Sequence, residues 1–169
     1  MVVSEKVADD FMEAYKAFLL YAYNKKGSSK TNCDLLEKLS IGREQYLKNR
    51  SLLNDYNKKN KIKLKIYKAI KSLEVDNWIY LRDTTKYSIF LKGDMTVSYA
   101  VLGLTQPIKE IFGYSGLYLK TGLISLENNF VCDGLLSNIV ELGKNYKSEF
   151  NENFKELKET GWFYKTPKT

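Results

Sequence analysis

The chain has 169 residues, 44% of them apolar and 28% charged, with a formal net charge of +7. That length and apolar content let it bury a core without disulfide or metal staples, and they exclude a disordered polypeptide. It contains no histidine. The Ser-His-Asp and Cys-His mechanisms and the usual zinc and non-haem iron sites are therefore closed, and catalysis would have to run on carboxylate, Lys or Tyr.

Met1 to Lys6 has no basic segment followed by an apolar run, and no stretch approaches the ~20 apolar residues of a bilayer span. These features predict a cytoplasmic protein with no membrane partner. In that compartment Cys33 and Cys132 read as free thiols, not as a bridge or half of a metal site. The Asn49-Arg50-Ser51 sequon carries no meaning without export.

The first element is a helix. Val7, Phe11, Ala14, Phe18 and Ala22 recur at three- and four-residue steps, Ser4 suits the N-cap, and the polar run Asn24 to Lys30 ends it. A short second helix is expected over 34–39, and a third over 43–56 with Tyr46, Leu52, Leu53 and Tyr56 inward. The segment 58–73 fits two templates. Lys61 to Ile66 alternates as a half-buried strand would, but Ile62, Ile66, Ile70 and Leu73 share one helical face, and the helix explains the longer span.

From there the residues favour strands. Runs at 78–81, 87–91 and 96–102, separated by turn-rich clusters, predict a three-stranded antiparallel meander. Pro107 opens about one helical turn through Phe112, and two further strands are expected at 117–126 and 130–136. Tyr146, Phe150, Phe154 and Leu157 mark a last helix that Gly161 terminates, and the aromatic tail Trp162-Phe163-Tyr164 is expected to dock back on the domain. The order predicts an α+β fold in one domain: N-terminal helices (1–74), a five-stranded, mainly antiparallel sheet (75–142), a C-terminal helix (143–160) and a tail (161–169).

The second half also resembles an uncharacterised prokaryotic family. The resemblance rests on Trp78-Ile79-Tyr80-Leu81-Arg82, Tyr87 to Leu91, Tyr99-Ala100-Val101-Leu102-Gly103-Leu104 and Pro107 to Phe112. It continues through Leu119 to Ile124 and Phe130-Val131-Cys132-Asp133-Gly134-Leu135-Leu136. It implies the α+β fold and attaches no activity. Some members of that family carry a Cys/His-rich metal tail, and these residues include none.

Four segments could carry chemistry. Gly27-Ser28-Ser29-Lys30-Thr31 is similar to a phosphate-binding loop, but Ser precedes the Lys and a helix leads in, both contrary to that motif. Lys58, Lys61, Lys65 and Lys68 would line one side of a helix over 58–73, where they could meet a nucleic-acid backbone or an acidic partner, or simply be solvated. Asp133, beside Gly134, and Glu110 could divide acid and base roles if the fold brought them together. Gly113-Tyr114-Ser115-Gly116 reads as a loop. No residue pattern calls for a metal or other cofactor. The charge and the missing imidazole favour a binding or regulatory module for an acidic protein surface. Nucleic-acid binding through the lysines comes second, and a carboxylate enzyme third.

Overall fold

The computed structural model describes residues 1–25 and 33–167. The loop-like motif at 27–31 lies outside them. The fold is α+β and comprises two compact units, Glu5–Ser72 and Met1–Ser4 with Leu73–Thr169.

The first unit is helical. Helix α1 (Glu5–Lys25) buries Val7, Phe11, Tyr15, Phe18, Leu19 and Ala22, the stripe its spacing predicts. Helix α2 (Leu35–Lys48) starts at Asp34, whose carboxylate accepts the Glu37 N–H at 2.8 Å. The sequence divides this region into two helices at about residue 40, but α2 runs through it. The glycine there serves contact: a Cβ on Gly42 would lie 2.1 Å from the Leu19 carbonyl oxygen, so α1 and α2 touch backbone to backbone. Gly42→Ala forces them apart and is expected to cost the helical unit about 1–3 kcal/mol, the usual range for overpacking. Urea unfolding followed by circular dichroism reads this directly, and an unchanged midpoint would contradict it.

The break falls later, at Asn49, which is extended and accepts from the Ser51 N–H and hydroxyl. Helix α3 (Ser51–Asn60) follows, then α4 (Leu64–Lys71). The single helix expected over 58–73 is therefore two. Lys61 adopts the left-handed conformation (φ 49°) and donates its N–H to the Asn57 carbonyl, while the Asn57 side chain accepts the Ile62 N–H. One asparagine thus ends α3 with both its backbone and its side chain. The core of this unit is aromatic: Phe18 meets Tyr46 edge-on at 5.0 Å, and Tyr56 at 5.6 Å.

The second unit is a barrel. Strands β1 (Glu74–Asp83), β2 (Ser88–Lys92) and β3 (Ser98–Leu102) form the predicted antiparallel meander. A five-residue helix, α5 (Ile108–Phe112), leads to the hairpin of β4 (Leu117–Leu126) and β5 (Asn129–Cys132). Two pairings close the sheet: β5 lies parallel to β3, and β4 lies antiparallel to β1 with Trp78 opposite Leu119. The closed order is β1-β2-β3-β5-β4-β1. Two further strands extend the five expected. Strand β6 (Ser137–Glu141) flanks β4 and is exposed along its whole length. Strand β7 (Phe163–Tyr164) is the docked tail, parallel to β3.

Alternation along the strands separates two cores. Trp78, Tyr80, Phe90, Val101, Leu117 and Leu119 fill the barrel. Ile79, Leu81, Ile89 and Leu91 point outward and are covered by Phe154 and Leu157 of helix α6 (Lys144–Glu159).

Tyr80 and Lys92 give the barrel an alkaline limit. Burial first, then the hydrogen bond the phenol donates to Asp83 at 2.7 Å, push the Tyr80 pKa far above its ordinary value. The Lys92 ammonium is also raised, chiefly by its 2.7 Å contact with Glu74. Both groups hold their protons more tightly folded than unfolded. Their contribution is complete below the free values of roughly 10 and is lost as pH rises through the folded ones. The urea midpoint should hold from neutrality to about pH 9 and fall above about pH 10. Tyr80→Phe should remove part of that fall; an identical pH profile in the variant would show that the phenol has no part in it.

Candidate functional site

Charge is divided unevenly between the units. Residues 5–72 contain sixteen Lys and Arg against eight Asp and Glu, whereas the other residues contain eleven against twelve. All of the positive surplus belongs to the helical unit, and its densest part is 48–71, with nine cations and one acid.

The four lysines singled out by the sequence lie on different elements. Lys58 is in the last turn of α3, 3.6 Å from Asp55. Lys61 occupies the left-handed link, and Lys65 and Lys68 lie one turn apart on α4. All four are exposed. The break at Lys61 prevents them from forming one helix face, so a straight basic ridge does not exist. Lys63 is drawn to Asp10, with its ammonium 2.9 Å from the carboxylate, and this contact holds the Asp10 pKa below its ordinary value.

The same breaks create a cavity of about 480 Å³, within the ordinary range of ligand pockets. Its walls are the start of α3 (Arg50, Ser51, Leu53, Asn54), the α2 ring of Tyr46, and Tyr67 and Lys71 of α4. Two cations, several hydrogen-bonding groups and no carboxylate line it. The Arg50 guanidinium lies over the Tyr46 ring, 4.6 Å from its centroid, which orients the flat cation. Tyr46 donates its hydroxyl to the Ile70 carbonyl at 3.2 Å, and burial pushes its pKa up, so it remains a neutral phenol. The Tyr67 hydroxyl donates to Asn54 and ties α4 to α3 across the cavity. The sequence marks none of these residues as a group. Arg50 and Lys71 line one cavity only because α3 and α4 fold back on each other, and the turn between them is made by a lysine where glycine would have signalled it.

A second cavity of this unit, about 310 Å³, contrasts in charge: Asp10, Glu13 and Lys63 share its rim. The cavity beside Arg50 is the one suited to an anion.

The carboxylate pair has a different character. Asp133 is 6% exposed, and its Oδ1 accepts from the N–H groups of Gly122 (3.2 Å) and Leu135 (3.0 Å) and from the Thr121 hydroxyl (3.3 Å). It fastens the link after β5 onto β4. The fit leaves no room, since a Cβ on Gly122 would lie 2.4 Å from Asp133 Oδ2. Glu110 is exposed on α5. Asp133 is thus engaged in holding backbone, and Glu110 faces solvent. Gly113 and Gly116, both with positive φ, bracket the turn from α5 into β4, as a loop there requires.

Among the described residues no group of three or more Cys, Asp or Glu side chains could hold a metal ion, and no helix is long and apolar enough to cross a membrane. Cys33 and Cys132 are both free thiols. No protein-family model, curated protein or solved structure matches the chain.

Proposed function

We propose that this is a nucleic-acid-binding protein whose helical unit takes the phosphate backbone, with Arg50 and Lys71 gripping one phosphate in the cavity between α3 and α4. The observation that carries this reading is a pocket lined by two cations and no acid, within the unit that holds the whole charge surplus. A guanidinium can bind a phosphate through two parallel N–H donors, and a stacked one is already oriented to do so. Exposed Lys65 and Lys68 on α4 add diffuse attraction, each contact releasing a counterion.

An acidic protein surface would offer carboxylates to the same two cations, and a competition experiment separates the two readings. Fluorescence anisotropy with a labelled oligothymidylate, at about 50 and 200 mM salt, tests it with poly-glutamate as competitor. The reading expects tight binding at low salt, a steep loss with added salt, and weak competition by the polypeptide. No binding at low salt would end it, and equal competition by poly-glutamate would transfer the site to an acidic protein.

A further inference from the structure

We infer that the open mouth of the barrel is a second binding site, one that takes an unpaired nucleobase. The cleft there measures about 340 Å³ and is lined by Tyr99 of β3, Ser125 of β4, Phe130 of β5, Tyr164 of β7 and Pro167. Three rings face it: Tyr99 lies 4.4 Å from Phe130 and 6.0 Å from Tyr164, centroid to centroid. No charged side chain lines it, so the ligand it suits is flat and neutral.

The topology supports the choice of ligand. A five-stranded Greek-key barrel closed in the order 1-2-3-5-4-1, with a helix between its third and fourth strands, is the architecture of oligonucleotide- and oligosaccharide-binding barrels. These use the outer face of strands two and three and the loops of the first and last hairpins. Here part of that face is sealed, because α6 lies over Ile89 and Leu91. The last hairpin remains available. Ser125 and Phe130, paired across its end, form two walls of the cleft. The tail supplies another through Tyr164, held beside Tyr99 by the β3–β7 pairing. Trp162, 53% exposed and edge-on to Tyr164, stands two residues before it in the chain. Base stacking on aromatic rings tolerates any sequence, since every base has a π face.

This site does not depend on the phosphate cavity, and an uncharged probe tests it alone. Adenosine titrated at millimolar concentration should shift the Trp162 indole N–H resonance saturably, while Trp78, fully buried, stays still. Tyr164→Ala should weaken that response roughly tenfold, and Tyr164→Phe, which keeps the ring, should retain it. The parent protein should also bind an oligothymidylate about tenfold tighter than an abasic strand of equal length, a preference Tyr164→Ala removes. Arg50 and Lys71 variants should leave the adenosine response unchanged. Absence of a saturable response to adenosine, an unaltered response in Tyr164→Ala, or a response to a malto-oligosaccharide in its place would overturn the assignment. Adenosine binding without strand binding would sink the phosphate reading alone.

Discussion

Asp133→Ala is expected to destabilise the barrel by roughly 3–6 kcal/mol, the sum of two hydrogen bonds from buried amides to a carboxylate at about 1.5–3 kcal/mol each. Removing the carboxylate takes an acceptor from the Gly122 and Leu135 N–H groups together and leaves the Thr121 hydroxyl to its shorter contact, the Leu135 carbonyl at 3.1 Å. The three donors bracket the place where the chain leaves β5, so the loss falls on the β4–β5 hairpin. Asp133→Asn keeps an oxygen in the same position and should cost far less, about 1–2 kcal/mol. The order Ala well below Asn, measured by urea unfolding, is the mark of a fastening role. Two variants of equal stability would leave the carboxylate without one.

The second large effect concerns binding. Reversing both cavity cations, Arg50→Glu with Lys71→Glu, should lower affinity for a single-stranded oligonucleotide on the order of a hundredfold near 50 mM salt, and reduce the salt slope by about 0.7, the share of the one phosphate they hold. Both side chains are on the surface, so the helical unit should fold unchanged, and its circular dichroism provides the control. The matched double reversal Lys58→Glu with Lys68→Glu changes net charge equally but leaves the cavity intact. It should cost less than the first. Equal losses from the two pairs would mean that only net charge matters and that the cavity holds nothing.

Much of this fold is legible in the sequence, because periodicity is a local property. The stripe from Val7 to Ala22 and the alternation from Trp78 to Leu91 state their burial directly, and the structure buries Phe11, Phe18, Trp78, Tyr80 and Phe90 accordingly. The tail is legible as well, since three consecutive aromatic residues have more to gain docked than in water. What is hidden depends on non-local pairing. Alternation shows which way Trp78 points, yet cannot say that Leu119 lies opposite it, so the closure of the sheet into a barrel is invisible. Strand β6 escapes notice because Ser137, Asn138 and Glu141 surround Ile139 and Val140, and all five residues are exposed.

The candidate sites show the same division. The lysines are conspicuous in sequence, but their arrangement is set by Lys61, whose left-handed backbone interrupts a hydrophobic spacing that otherwise continues. The apolar positions from Ile62 to Leu73 fit one helix, and only the Asn57 side chain, competing for the Ile62 N–H, stops it early. The cavity residues Arg50 and Lys71 are unremarkable one at a time. They come to line one cavity through the break at Asn49 and the turn at Lys61, which a periodicity argument smooths over.

The most direct test of the phosphate reading is a map of the bound strand on the protein. Isotope-labelled protein titrated with a short oligothymidylate at low salt should show its largest amide shifts at Ser51 to Asn54 and at Tyr67 to Lys71, together, and added salt should reverse them. Shifts absent from both segments, while the strand is demonstrably bound, would contradict it.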